Sequence, residues 1–327
     1  MTGSIEIECP HCGTSSTAGD RYCERCGAVV ADGDAATCVL CGEAVSAAME
    51  GYCPSCGTRQ PVPRDSMEDV GAGGNVAALS DRGRHRLRNE DAFVIASSPS
   101  GRVLAVISDG VSSTRDADQA SQLAVEAALR AFGDSSDKEL AEVVRMTYAA
   151  AAEAVNQLGD GSQDASPSCT FLAAAVDRFS VHLASMGDCR AYWLPRAGVP
   201  QRLTADDSWA NDQILAGTMT PDQAHAHARS HHLTRWLGGD AEGSWQPREV
   251  PFTAPGPGRL ILCSDGLWNY APSASDIAAV APAASPSAVA RSLVDYANQR
   301  GGRDNTTVVV VNIPCGDDIA ASKGTSR

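Results

Sequence analysis

The sequence predicts an α+β fold: a four-layer α/β/β/α sandwich with a small cysteine-rich module in front of it. Three observations carry this. Apolar or alternating runs at 91–97, 103–109, 170–177, 179–187, 190–195, 259–264 and 306–313 read as strands. Ala-rich stretches at 116–132 and 137–158, with two more at 273–281 and 286–300, read as helices. Strands clustered in this way, with helices outside them, give a sheet-on-sheet core covered on both faces. Third, eight of the twelve cysteines lie before Gly57, in four Cys-x-x-Cys pairs.

The pairs are Cys9/Cys12, Cys23/Cys26, Cys38/Cys41 and Cys53/Cys56, each followed by Gly. The Gly lets the backbone turn so that its amides face the sulfurs. Four thiolates at this spacing favour tetrahedral zinc. The alternative is a disulfide framework, but small cysteine clusters without an export signal are usually metal sites. Residues 1–58 resemble a tandem zinc ribbon, which implies one structural Zn2+ on Cys9, Cys12, Cys23 and Cys26 and a second on Cys38, Cys41, Cys53 and Cys56. A repeat this small builds no core alone, so metal binding is expected to fold it. From Met1 to Gln60 there are eight acidic and three basic residues, a poor surface for nucleic acid. A recruiting or regulatory contact with protein is the better expectation, and a cap on the following domain the alternative.

Residues 59–75 read as a linker, because Pro61-Val-Pro63, the charges of 64–69 and Gly71-Ala-Gly-Gly74 do not hold a regular element. The main domain spans 76–314 and opens with Val76-Ala-Ala-Leu79. Its second helix has a capping-box signal at Ser136-x-x-Glu139. The tail, 315–327, is small and polar, and disorder is expected there. Cys169, Cys189 and Cys263 stand in apolar strands and read as buried small hydrophobes.

The chemistry lies in acidic residues at strand ends. Val103–Ile107 leads into Asp109-Gly110, Arg259–Cys263 leads into Asp265-Gly266, and Asp304-Asn305 opens Thr306–Val311. A rigid sheet presents hard oxygen ligands to a divalent ion in this way. One Asp-Gly alone would as readily mark a hairpin turn.

In this order and context the motifs resemble the PPM family of metal-dependent, type 2C serine/threonine protein phosphatases, bacterial type, from about Val76 to Ile313. Ser80-Asp81-Arg82-Gly83 with Asn89-Glu90-Asp91 looks like the first motif, and Asp109-Gly110 like the second. Met186-Gly187-Asp188-Cys189-Arg190 looks like the central block. Leu203–Ser208, Thr220–Ala224 and Leu233-Thr234-Arg235 look like the flap of bacterial members. Cys263–Leu267 and Gly302–Thr307 close the set. The resemblance implies two antiparallel sheets between helical layers, with the metal site at one end.

It also implies roles. Asp109 would bridge two Mn2+ or Mg2+ ions, Gly110 would lend its carbonyl to one, and Asp265 and Asp304 would hold the other. Asp188 matches the position that, with that of Asp265, holds a third ion in bacterial relatives. Glu90 and Asp91 would order metal-bound waters, and Asn305 would support Asp304. Arg86 falls where the family grips substrate phosphate, a task suited to a guanidinium fork. Two ions roughly 3.5–4 Å apart activate a shared water for attack on phosphorus. An oxygen-only ligand set favours Mn or Mg.

Other residues are expected to be structural. Asp81 orders a turn or pairs with Arg, Arg84 and Arg88 are as readily solvated as substrate-facing, and Arg190 makes a structural ion pair. Asp206 and Asp207 cap the flap helix. The run His225, His227, His231 and His232 resembles a metal tract but reads better as a polar surface. Two stretches depart from the family. Val111-Ser112-Ser113 stands where relatives carry Gly-Gly nearby, with Val111 at the place of a histidine proposed as general acid in eukaryotic members. Pro167-Ser168-Cys169-Thr170 stands where relatives have Gly-Thr-Thr.

Composition sets the outer bounds. A net charge of −14 over 327 residues excludes nucleic acid as the main partner and suits a collector of cations. No apolar run approaches about 18 residues, and the acidic start lacks a signal-peptide core, so a cytoplasmic, non-membrane monomer acting on phosphoproteins made by a serine/threonine kinase is expected. A non-catalytic phosphoprotein binder is the rival reading, opposed by retention of Asp109, Asp265 and Asp304. A zinc-ribbon transcription factor is opposed by the acidic ribbon.

Overall fold

The computed structural model describes residues 6–8, 15–17, 36–45, 52–159, 166–241 and 245–313. The chain divides into two compact units, Met1–Pro63 and Arg64–Arg327. In the first, Glu6–Glu8 pairs with Ser15–Thr17 and Ala36–Thr37 with Ala44–Val45, both antiparallel. Gly42 and Gly57 take left-handed φ of 74° and 71°, and each donates its amide to the carbonyl of the Cys four residues earlier, closing the knuckle. Cys9, Cys12, Cys23 and Cys26 lie outside the described residues, as does the tail 315–327.

The second unit holds eleven strands that build two antiparallel sheets. They are β1 (Ser66–Val70), β2 (Val76–Asp81), β3 (Asp91–Ser97), β4 (Val103–Asp109), β5 (Phe171–Asp177), β6 (Ser180–Met186), β7 (Arg190–Pro195), β8 (Gln201–Arg202), β9 (Arg248–Thr253), β10 (Gly258–Cys263) and β11 (Thr306–Ile313). One sheet runs β9-β6-β5-β4-β3 and the other β8-β7-β10-β11-β2-β1. The helices are α1 (Ala117–Ser135), α2 (Leu140–Asn156), α3 (Trp209–Leu215), α4 (Pro221–His225), α5 (Asp265–Trp268), α6 (Ala274–Val280) and α7 (Pro286–Gln299).

Period-two alternation sorts the side chains into layers. Ala105 and Ile107 of β4 face Val309 and Val311 of β11 in the core between the sheets, with Leu172, Trp193, Leu260 and Leu262. Their neighbours Leu104 and Val106 point the other way, into a second core under α1 and α2. Val308 and Val310 do the same under α5, α6 and α7. The four-layer α/β/β/α sandwich expected from the sequence is therefore present.

Three expectations need correction. The segment 59–75 is not all linker, because β1 pairs along the whole of Ser66–Val70 with β2 and forms an edge of the sheet. Helix α2 begins at Leu140, and no capping box forms at Ser136. The Arg102 guanidinium takes the carbonyls of Ser136 and Lys138, so these residues are held outside the helix. Asp206 and Asp207 do not cap the flap helix: Ser208 is the N-cap of α3, its Oγ accepting from the Asn211 amide.

Candidate active site

The strands deliver their carboxylates to one end of the two sheets. Asp109 ends β4 opposite Asp91 on β3, Asp265 follows β10, and Asp304-Asn305 precede β11. They open on a pocket of about 660 Å³ whose lining includes Arg86, Asp109, Gly110, Asp188, Asp265 and Asp304. Gly is required beside two of them. A Cβ on Gly110 would lie 2.4 Å from the Ala117 carbonyl oxygen, and one on Gly266 would lie 1.9 Å from that of Asn305. Thr170 fixes Asp109, its Oγ1 accepting from the Asp109 amide at 2.9 Å and its own amide donating to the Asp109 carbonyl at 2.8 Å.

Behind the pocket, Asp91 is fully buried and ties the two sheets together. Its Oδ2 accepts from Ser264 Oγ and Thr307 Oγ1, each at 2.7 Å. Its Oδ1 is buried without a hydrogen-bond partner. Asn305 sends its side chain away from Asp304: Nδ2 donates to the Arg82 and Arg88 carbonyls, and Oδ1 accepts from the Glu90 amide. Its backbone amide supports Asp304 instead, donating to Oδ1 at 2.9 Å. Arg86 donates from Nη2 to Asp304 Oδ2 at 2.6 Å and from Nη1 to Ser112 Oγ at 3.0 Å. The Asp304 hydrogen bond raises the pKa of Arg86.

Among themselves the carboxylates repel. Burial, and then the charges of the neighbouring Asp residues, push the carboxyls of Asp109 and Asp265 well above the usual carboxylate range. Burial and then Asp206 push Asp188 up to about 7. Burial lifts Asp91 to about 6. A cluster of this kind, all oxygen and short of positive charge, with an unpartnered carboxylate oxygen behind it, fits hard divalent cations.

Flap residues 204–240 complete one wall. Asp206 is buried against the Arg190 guanidinium, with Arg202 also on it, and Asp207 takes Arg235, Arg248 and the Gly187 amide. Arg190 thus makes the structural ion pair expected, and it lies 3.6 Å over the Trp268 ring. Asp81 orders the turn at Gly83, accepting its amide at 2.8 Å. Arg84 and Arg88 are exposed. The histidine run is divided: His231 and His232 line the pocket, whereas His227 stacks on Trp209 at 4.2 Å. The four do not form a ligand cluster; His225, His231 and His232 are exposed, the polar surface expected, and His231 and His232 also border the pocket. Cys169, Cys189 and Cys263 are buried, as expected.

The described cysteines form a second candidate metal centre. The sulfurs of Cys38, Cys41, Cys53 and Cys56 all lie within 4.8 Å of one another. Cys38 and Cys56 are 3.6 Å apart, as are Cys41 and Cys53. A tetrahedron of ~2.3 Å Zn–S bonds has edges of about 3.8 Å, so the set fits zinc. The Cys41 backbone amide facing Cys38 lowers that thiol to about 6, and Thr58 lowers Cys56. Gln60 braces the site: its Nε2 donates to Cys38 Sγ at 3.3 Å and to the Thr58 carbonyl, and its Oε1 accepts from the Val39 amide.

The family model described as protein phosphatase 2C matches residues 81–297, which takes in Asp109, Asp188 and Asp265 of the pocket, with Asp304 just beyond it. The chain belongs to the protein phosphatase 2C family. A double zinc ribbon model matches residues 9–59. The chain is 30% identical over 237 residues to serine/threonine phosphatase stp of Listeria innocua, covering 71% of this chain and 93% of that one. It is 31% identical over 244 residues to protein phosphatase PhpP of Streptococcus pneumoniae, covering 73% and 97%. A crystal structure of the catalytic domain of serine/threonine protein phosphatase PstP in complex with two manganese ions superposes with a TM-score of 0.61 at 28% identity, over 72% of this chain and 96% of that one.

Within this protein phosphatase 2C chain, several pocket residues carried no sequence signal for their place. Ser112 on the turn after Gly110, His231 and His232 on the flap, Trp236 and Asp240 all line the pocket. The stretch Ser168-Cys169, where the sequence departs from its relatives, pairs with Leu237-Gly238 and so joins the foot of the flap to β5.

Proposed function

We propose that this phosphatase hydrolyses phosphoserine and phosphothreonine in proteins, using two divalent cations, Mn2+ or Mg2+, held by Asp109, the Gly110 carbonyl, Asp265 and Asp304. Asp188 offers a further ligand for a third. The observation that carries the reading is the convergence of Asp109, Asp188, Asp265 and Asp304 with Arg86 on a single pocket in a protein phosphatase 2C domain. The PstP structure with manganese supports the choice of metal. Bound cations would neutralise the phosphate charge and activate a water. The chain's own residues do the rest. Asp109, Asp265 and Asp304 stand on rigid strand ends, which fixes the ligand geometry. Arg86 offers a guanidinium fork at the pocket wall, able to exchange its carboxylate partner for a substrate phosphate. In this reading Glu90 and Asp91 would order water bound at the site. His231, His232 and Trp236 of the flap bound the side on which a peptide would lie.

The zinc ribbon holds two structural Zn2+ in this reading and recruits or regulates through protein contacts. No helix among the described residues is long and apolar enough to cross a membrane, which is consistent with a cytoplasmic enzyme that reverses a serine/threonine kinase. The test is phosphate release from a phosphothreonine peptide with Mn2+, with Mg2+ and after chelation. Turnover with either metal and none without is expected. A folded protein that binds the peptide and releases no phosphate under any condition would overturn the reading and leave a phosphoprotein-binding module.

A further inference from the structure

Residues 111–114 form a β-turn, closed by the Thr114 amide on the Val111 carbonyl at 2.8 Å. Its tip carries Ser112 into the pocket. The Ser112 hydroxyl donates to Glu90 Oε2 at 2.5 Å and accepts from Arg86 Nη1 at 3.0 Å. A hydroxyl has one proton, so both directions are fixed: Glu90 takes the proton, and the oxygen lone pair is turned to the guanidinium. The Glu90 charge polarises the hydroxyl and makes it a better acceptor. The links continue around a closed ring. The Glu90 amide donates to Asn305 Oδ1 at 2.8 Å, the Asn305 amide to Asp304 Oδ1 at 2.9 Å, and Arg86 Nη2 to Asp304 Oδ2 at 2.6 Å.

Arg86 is therefore held at two points, Asp304 and Ser112. The first belongs to the carboxylate set that takes cations in the reading above. A carboxylate whose charge is shared with a cation pulls less on a neighbouring guanidinium. The Ser112–Glu90 link does not depend on Asp304. We propose that Ser112 is the positioning residue for Arg86, bridging it to Glu90 and keeping its free N–H groups aimed at a substrate phosphate. The serine in the Val111-Ser112-Ser113 stretch thus supplies an anchor that a glycine there would lack. The inference rests on the phosphatase reading of this site.

The test compares wild type, Ser112→Ala and Ser112→Thr, each alone and in an Arg86→Ala background, as full-length manganese-loaded protein. Binding of inorganic phosphate is measured at equilibrium by calorimetry, alongside kcat and KM on a phosphothreonine peptide and the midpoint of a manganese titration. Ser112→Ala is expected to weaken phosphate binding and raise KM about five- to tenfold, the loss of one charge-assisted hydrogen bond. The expected change in kcat is under about twofold and the manganese midpoint stays in place. Ser112→Thr, which keeps the hydroxyl, is expected to restore phosphate binding. In the Arg86→Ala background Ser112→Ala is expected to add nothing, since the link it removes is already gone. Unchanged phosphate binding in Ser112→Ala, or an equal loss with Arg86 absent, would overturn the assignment while leaving an active wild type and its phosphatase reading intact. A wild type that neither binds phosphate nor turns over would remove both.

Discussion

Replacing Asp188 with Asn should make the phosphatase unit more stable at alkaline pH when divalent cations are absent, and the gain should fade as pH falls. Asp188 is 7% exposed, and burial, then the Asp206 charge, raise its carboxyl from an ordinary 3.8 to about 7. Its folded pKa lies above its unfolded one, so the folded state holds the extra proton in the window between them. The stability this lends is fully present below about pH 4 and is lost as pH rises through about 7. Three decades of proton affinity correspond to about 4 kcal/mol. Relaxation and water entry around a site with an effective dielectric near ~20 reduce this to about 2 kcal/mol. For a unit of this size that is about 4–8 °C in Tm. All five tryptophans, Trp193, Trp209, Trp236, Trp245 and Trp268, lie in the second unit, so intrinsic fluorescence reports its melting separately from that of the ribbon. The assay is a thermal melt of both proteins at about pH 8 and about pH 4.5, after passage over a chelating resin. A lower Tm for Asp188→Asn at pH 8, or a gain of equal size at both pH values, would refute the reasoning.

Three further outcomes are expected. Asp109→Asn should lower metal-dependent turnover at least about a thousandfold, several kcal/mol of lost charge stabilisation, with the tryptophan melt no lower than wild type; near-normal turnover would show that Asp109 is not a ligand. Gly266→Ala should cost about 3 kcal/mol or more, read as a shift in the urea midpoint, because its Cβ would sit 1.9 Å from the Asn305 carbonyl oxygen and 2.6 Å from Thr306 Oγ1. Gln60→Ala should weaken zinc retention about 10- to 100-fold in a chelator competition, since it removes the group that holds Cys38, Val39 and Thr58 together.

Reading the sequence succeeded where a segment is buried on a regular period. The strand residues 103–109 and 306–313 are apolar on both faces because both faces are covered, and no competing structure suits them. It failed at the sheet edges. Ser66–Val70 is almost wholly exposed, with the charges Glu68 and Asp69 in its middle, and it carries no hydrophobic period. Arg248–Thr253 contains Pro251, which argues against a strand except at an edge, where β9 lies. The Ser136–Glu139 signal was locally sound and lost to Arg102, a residue more than thirty positions away whose guanidinium claimed the carbonyls.

The candidate site divides along the same line. Asp109, Asp265 and Asp304 were legible because each sits next to a strong strand, and chain direction alone puts a strand-end residue at a sheet's edge. The cysteine knuckles were legible because ligand spacing and turn-forming glycine are local. No local rule reaches across 26 residues to join Arg86 with Ser112, or across 218 to join it with Asp304. None shows that Asp91 faces Ser264 and Thr307 on the opposite sheet, or brings His231 and His232 to the pocket. The sequence by itself determined the buried strands and main helices, the acidic strand ends and the family. The tertiary structure decided which charges face one another, because electrostatics and hydrogen bonding act through space, at distances fixed by how the sheets pack.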